Sequence, residues 1–474
     1  MNTEHPFGWL ALVPPLLAIT LSVLTRQVYI SLLAGIFAGA LILNPTLLDS
    51  FLYFFQVIID VFKDGGNTKV IIFVCLIGGL LELMERSGGF LGIGDRLASS
   101  GTINSRKKSL LLVYLTGVVI FIESTITIII SGTLGKALSK KYKISKENLA
   151  YICDATSAPI SILIPINAWG AFVLGLIEKQ NIGDPLPIFL GGIFNNYYAI
   201  TSVLLVLFLI LTGKHFGPMK KAEEKALLGE HDSDAVLNEQ SLLPTYTSIK
   251  KPINFTLPVL VLMLGVPFYL FLTGYAKIGN MDAGLFKIIT SGSGSSAVLF
   301  SVVTSIAVSI GLIMYQKQAT FDRLFSDMLG GSGKFINLSL LMLLAFAIGQ
   351  ISTSLQTGEF IAGYVQDITN PSLIIGGVFI ASCFISFSTG TSWGTFAIMI
   401  PLAIPIATSL DLSYSMTVAA VLSGGVFGDH CSPISDSTII SSMATGCDLM
   451  NHVKTQLPYA LLAALISLLL FLFL

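Results

Sequence analysis

The chain has 474 residues, of which 53% are hydrophobic and 11% charged, with a mean hydropathy of +0.82. A soluble domain carries about 25% charged residues, so this composition excludes an ordinary water-soluble fold and implies an all-α polytopic membrane protein. The net charge of −1 supplies no field for nucleic acid, and the five scattered cysteines give neither a disulfide framework nor a paired zinc-ligand spacing.

Apolar segments fall near 7–24, 27–43, 70–86, 109–135, 149–177 and 188–212, then near 254–274, 288–315, 335–356, 371–410, 414–446 and 456–474. The first lacks a preceding basic region and a small-residue cleavage site, so it is expected to stay as a span. A bilayer core takes about 20 helical residues. The segments 109–135, 149–177, 371–410 and 414–446 exceed that and are expected to be re-entrant, broken or strongly tilted. Residues 213–252, rich in Lys and Glu, read as a linker.

The two halves resemble each other. Asp154-Ala-Thr-Ser-Ala-Pro-Ile-Ser matches Asp429-His-Cys-Ser-Pro-Ile-Ser with one residue inserted. Gly79 and Gly88-Gly89-Phe90 match Gly349 and Gly358-Glu359-Phe360, and Asp64-Gly65-Gly66 matches Leu329-Gly330-Gly331. Matches in the same order indicate an internal repeat. Short amphipathic stretches at 51–62 and 321–329 read as helices lying in the interface.

Charge orients the repeats. Arg26, the run Arg86/Arg96/Arg106/Lys107/Lys108 and the run Lys136/Lys140/Lys141/Lys143/Lys146 belong in the cytoplasm by the positive-inside rule. Two of these clusters flank 109–135, which must then enter and leave on one side. The flanks of 371–410 hold Glu359, Asp367 and Asp411 and no Lys or Arg, so this hairpin enters from outside. Lys214, Lys220, Lys221, Lys225, Lys250 and Lys251 place 213–252 in the cytoplasm. The expected architecture is two inverted-topology repeats, 1–212 and 253–474, with both termini outside. Each has a re-entrant hairpin (109–135, 371–410) and a broken helix (149–177, 414–446).

The stretch 423–442 concentrates the chemistry. Asp429 and Asp436 interrupt an apolar run, with Pro433 between them and Ser432, Ser435, Ser437, Thr438 and Ser441 around them. An acid at bilayer depth costs roughly 2.5–3.5 kcal/mol and persists where it faces a cavity or partner. Gly424-Gly425 and Pro433 are expected to break the helix and free carbonyls for that cavity. A kinked helix with its acids at the interface is the structural alternative.

Hairpin tips and broken helices should converge near the midplane. The expected lining is Glu123, Ser124, Thr125 and Thr127, then Asp154, Thr156, Ser157, Ser161 and Asn167. Thr389, Thr391, Ser392 and Trp393 follow from the second tip, and Asp429, Ser432, Ser435, Asp436 and Ser437 complete it. Carboxylate and hydroxyl oxygens are hard ligands suited to Na⁺, expected at Asp429, Asp436 and Asp154. A carboxylate that holds either Na⁺ or a proton gives exchange by competition, with Asp429 and Asp436 ahead of Asp154 and Glu123. Asn replacement of either Asp429 or Asp436 is expected to abolish exchange. His430 is a gating or pH-sensing candidate, or a donor capping the broken helix. Trp393 is expected to pack a gate, with stacking on a substrate as its alternative, Glu82 to be solvated at the interface, and single Ser or Thr residues also serve close helix packing. His430-Cys431 without convergent partners is not a zinc site.

Gly428-Asp-His-Cys-Ser-Pro-Ile-Ser-Asp-Ser-Thr-Ile-Ile-Ser-Ser442 together with Gly390-Thr-Ser-Trp-Gly-Thr395 resembles the signatures of the NhaC family of Na⁺/H⁺ antiporters. The resemblance implies a secondary antiporter of the bacterial inner membrane, working by alternating access with no cofactor, in relatives often homodimeric. Residue by residue it supports Asp429, Ser432, Ser435, Asp436, Ser437 and Thr438, and Thr391, Ser392 and Thr395. It also extends to exchangers of organic acids, such as malate for lactate, and of amino acids. A Na⁺- or H⁺-coupled carrier of such a solute is therefore the alternative, and Li⁺ an alternative cation. The predicted site holds no Lys or Arg for an organic anion, although helix N-termini also bind carboxylates. An intramembrane protease with an aspartyl dyad is disfavoured, since catalysis needs no pair of inverted half-sites; a passive channel is a further reading, told apart by a conductance far above carrier turnover.

Overall fold

The computed structural model describes residues 6–25, 27–89, 92, 105–121, 124–165, 167–229, 246, 251–279, 284–357, 360, 363 and 370–473. Glu123 lies outside the described residues, as do Arg26, Phe90, Arg96, Lys250, Gly358, Glu359 and Asp367. The first half runs α1 (Val13–Thr25), α2 (Val28–Leu43), α3 (Leu47–Asp60), α4 (Gly65–Arg86), α5 (Arg106–Val119) and α6 (Ser124–Tyr142). Three short helices follow, α7 (Lys146–Ala155), α8 (Ala158–Leu163) and α9 (Ala168–Glu178), then α10 (Pro185–Phe194) and α11 (Tyr197–Thr212). After α12 (Gly217–Leu228), the second half runs α13 (Ile253–Ile278), α14 (Leu285–Thr290), α15 (Gly294–Tyr315), α16 (Phe321–Lys334) and α17 (Ile336–Ser354). It ends with α18 (Pro371–Thr389), α19 (Ser392–Ser409), α20 (Tyr414–Cys431), α21 (Asp436–Thr445) and α22 (Leu449–Phe473).

Among the described residues, eight helical stretches are long and apolar enough to cross a membrane, or nine if the bent α7–α9 run is one span. The fold is all-α and polytopic, two inverted-topology repeats that each hold a helical hairpin and a broken helix. Three boundaries differ from hydropathy. The stretch 188–212 divides at Asn195-Asn196, where the Asn196 side chain accepts from Ala199 N–H and starts α11. The stretch 288–315 divides at 291–293, where Ser293 caps α15 by accepting from Ser296 N–H. The first hairpin extends to 106–142, because Ser105 caps α5 and the Lys-rich turn is still helical. An apolar run measures burial, whereas a cap sets where the backbone turns.

The amphipathic helices α3 and α16 lie against the bundle. On α3, Ser50 and Val57 are buried while Leu47, Leu48, Phe51, Leu52 and Phe55 are exposed. On α16, Leu324 and Met328 are buried beneath α4 while Phe321 and Phe325 are exposed. An ion cluster joins α4 to α16. Glu82 is only 3% exposed, accepting from Arg86 Nε at 2.7 Å and from Lys334 Nζ at 2.5 Å. Arg86 reaches Asp327 at 3.2 Å. Glu82 is thus a buried tie between the halves, not a solvated residue. Tyr246 of the linker joins the cluster: its hydroxyl donates to Asp327 Oδ2 at 2.9 Å and its N–H to the Arg86 carbonyl at 2.8 Å. Burial and the neighbouring Asp327 carboxylate push the Tyr246 phenol above its ordinary range.

Gly424-Gly425 does not break α20, which continues to Cys431. Its glycines serve close approach instead. A Cβ on Gly424 would lie 2.5 Å from the Phe379 carbonyl oxygen, and one on Gly428 would overlap the Phe387 nitrogen, both on α18. Two small residues four apart let the backbones touch. The break comes later, at Ser432–Ser435 around Pro433, and α21 restarts from its N-cap Ser435.

Candidate functional site

The tip of the second hairpin meets the break between α20 and α21. Gly390 takes φ +70°, and Thr391 caps α19, accepting from Gly394 N–H at 3.4 Å. That places Ser392 over the end of α20. Its Oγ donates to Asp429 Oδ2 at 2.5 Å, while Ser435 Oγ, from the break, donates to Asp429 Oδ1 at 2.5 Å. Ser437 Oγ lies 3.2 Å from Ser435 Oγ, and its N–H donates to that oxygen at 3.2 Å. Asp429 is 6% exposed and the three hydroxyls are buried. The carboxylate sits at the C-terminal turn of α20, where backbone carbonyls add negative charge, opposite the start of α21. One carboxylate ringed by hydroxyls is a donor set for a small hard cation.

A second carboxylate is buried next to this cage. Asp154 lies at the end of α7 and is wholly buried. Its Oδ2 accepts from Gln456 Nε2 at 2.9 Å and from Thr438 Oγ1 at 3.4 Å, with His452 Nε2 at 3.3 Å. Thr438 Oγ1 also lies 3.5 Å from the Asp429 backbone carbonyl oxygen, so one hydroxyl links the Asp154 carboxylate to the main chain of Asp429. Gln456 Nε2 donates as well to the His430 carbonyl. His430 is wholly buried, its Nδ1 2.8 Å from the Tyr198 hydroxyl, and Tyr151 stacks on it at 6.1 Å. Among the described residues, Asp154 Oδ1, Gln456 Oε1 and His430 Nε2 are buried without a partner. Native interiors pair nearly all such atoms, so the three together make this a candidate place for a bound ion, water or proton.

The same relation recurs in both halves. Ser161 Oγ and Asn167 Nδ2 donate to the Phe121 carbonyl at the first hairpin tip, each at 3.1 Å. Ser432 Oγ donates to the Phe387 carbonyl at the second, at 2.7 Å. In each repeat a polar side chain of the broken helix satisfies a carbonyl of its hairpin.

A family model described as the Na⁺/H⁺ antiporter family matches residues 173–474. The chain belongs to that family. An uncharacterised protein of Haemophilus influenzae is 30% identical over 466 residues, covering 95% of this chain and 88% of that one. The malate-2H⁺/Na⁺-lactate antiporter of Bacillus subtilis is 33% identical over 129 residues, 26% of this chain and 28% of that one. The crystal structure of the Alcanivorax borkumensis YdaH transporter covers 97% of both chains at a TM-score of 0.60 and 15% identity, which shows a shared fold.

The antiporter's remaining candidates separate into cage and scaffold. Asp436 is exposed at the first turn of α21, outside the Asp429 cage. Thr156 and Ser157 bond back to the Ile152 and Asp154 carbonyls at 2.7 Å each, and Thr389 to Ile385 at 2.8 Å, so all three finish helices. Ser124 and Thr125 are half-buried at the start of α6. Trp393 packs on Trp169 at 4.7 Å and Phe172 at 4.8 Å, joining α19 to α9. Sequence reasoning passed over His452, Gln456 and Tyr198. His452 and Gln456 are four apart on α22, hence on one face, and that spacing in an apolar span is the signal that finds them.

Proposed function

We propose that this Na⁺/H⁺ antiporter carries its cation in the cage of Asp429, Ser392, Ser435 and Ser437. The observation that supports the reading is that both oxygens of one buried carboxylate are held by hydroxyls from two separate elements, the hairpin tip and the helix break. A bare carboxylate there is costly, so the site is stable when either Na⁺ or a proton neutralises it. With Na⁺ bound, Ser392 and Ser435 turn oxygen lone pairs to the ion; with a proton bound, they resume bonds to the carboxyl group. Competition for one carboxylate, presented alternately to the two sides, exchanges the cations. Exposed Asp436 serves as the approach to the cage. The protein sits in the bacterial inner membrane with 213–252 as the cytoplasmic connection between repeats 1–212 and 253–474, and with both termini outside.

The test is dissipation of an internal acid gradient in proteoliposomes containing only this protein. Alkalinisation on adding NaCl or LiCl, but not choline chloride, is the expected result. Silence to Na⁺ followed by a response to malate, lactate or an amino acid overturns it in favour of a coupled solute carrier. That second reading is favoured by the name of the malate/lactate relative, and opposed by a cage with no Lys or Arg among its described residues.

A further inference from the structure

We infer that a cavity lined by none of the residues around Asp429 and Asp154, between the first turn of α5, the end of α11 and α12, holds the headgroup of an anionic phospholipid. It measures about 710 Å³. Its polar rim carries Arg106, Lys107, Lys214, His215 and Lys220 against two acids, Glu223 and Glu224. Both acids are engaged: Glu223 with Arg106 and, at 2.8 Å, the Ser145 hydroxyl, and Glu224 with Lys220 at 3.9 Å. The rim is therefore left with net positive charge. Two of its nitrogens, Arg106 Nε and His215 Nδ1, are buried with no partner among the described residues.

Its wall is apolar, from Leu110, Leu209 and Leu211. Lys107 Nζ donates to the Leu211 carbonyl at 2.9 Å, which fixes the basic rim at the last turn of the spanning helix α11. Outward along α11, Leu204, Phe208 and Leu211 are exposed, a surface for an acyl chain. A phosphodiester on a basic rim continuous with an apolar helix face is the chemistry of a phospholipid, whereas a soluble phosphate uses the rim alone. Basic pockets at the membrane face bind acidic headgroups for this reason.

Occupancy there bears on the rest of the molecule. Phe216, next to His215, donates its N–H to the Tyr459 hydroxyl at 3.0 Å and packs its ring on Tyr459 at 4.2 Å. Tyr459 stands on α22, the helix that carries His452 and Gln456.

The test uses the purified full chain, phosphatidylglycerol against phosphatidylcholine, and native mass spectrometry of the retained lipid. Preferential retention of phosphatidylglycerol is expected. The double variant Lys214→Gln/Lys220→Gln should weaken it by about fivefold per lysine removed. Lys221→Gln/Lys225→Gln removes the same charge from α12 but on the side away from this cavity, and should leave retention unchanged. Equal retention of the two lipids, or equal loss in both double variants, overturns the proposal. Displacement by inorganic phosphate as effective as by phosphatidylglycerol overturns it too, reassigning the rim to a free anion. None of these readouts depends on transport.

Discussion

Ser392 and Asp429 belong to different helices and meet at 2.5 Å, so the hairpin tip closes directly on the buried acid. Asp429→Asn removes the charge that Na⁺ and the proton compete for. Exchange should vanish while the protein stays folded and inserted, measured as gradient dissipation beside a thermal melt. Ser392→Ala removes one oxygen and should raise the Na⁺ concentration for half-maximal exchange about tenfold, the effect of roughly 1.4 kcal/mol.

Asp436 should behave differently. It is exposed and outside the cage, so Asp436→Asn should weaken the apparent Na⁺ affinity and leave the maximal rate largely intact. A full loss of exchange at saturating Na⁺ would place Asp436 in the cage. This departs from the expectation, drawn from the sequence, that Asn at either acid abolishes exchange.

Gln456 holds Asp154 and the His430 carbonyl through one nitrogen. Gln456→Leu fits the apolar span but leaves both buried acceptors short of a donor. A destabilisation of about 1–3 kcal/mol is expected, read as a lowered melting temperature in detergent.

The close approach of α18 and α20 gives a steric prediction. Gly428→Ala drives a Cβ into the Phe387 nitrogen, and overpacking of this kind costs about 1–3 kcal/mol. Gly377→Ala, on the same α18 but with nothing within 4 Å of the new atom, should be neutral. Comparable melting temperatures for the two variants would contradict the packing described.

Glu82→Ala should loosen α4 from α16. Breaking a buried pair costs about 3–5 kcal/mol, but Arg86 and Lys334 keep access to solvent, so about 1–3 kcal/mol is expected. The measurement is thermal unfolding, with Lys334→Ala as the milder comparison because Lys334 is the more exposed partner.

The Asp429 cage is legible in the sequence because its parts are local and chemically unusual. An acid, a proline and several hydroxyls inside an apolar run are costly unless they face a polar cavity, and Gly390-Thr-Ser supplies the turn that meets them. The surroundings of Asp154 are not legible in the same way. His452 and Gln456 come from about 300 positions further along the chain and look like ordinary polar residues at the start of a span. Gly424-Gly425 shows the opposite limit: the pair reads equally as a break or as a place for another helix, and only the neighbouring α18 decides. The helix starts at Tyr197 and Gly294 are missed by hydropathy because Asn196 and Ser293 act through one hydrogen bond each, to the N–H of Ala199 and of Ser296, which leaves the apolar average unchanged.

The rings of Phe216, Tyr459, Tyr151 and His430 follow one another at 4.2, 5.1 and 6.1 Å, from the linker side to the buried acids. The first pair is tilted and the other two are stacked, and each such contact is worth about 0.5–1.5 kcal/mol. Asp436, by contrast, is exposed. The surroundings of the buried acids are therefore tied to the linker side by side-chain contacts that no single hydroxyl substitution in the cage removes.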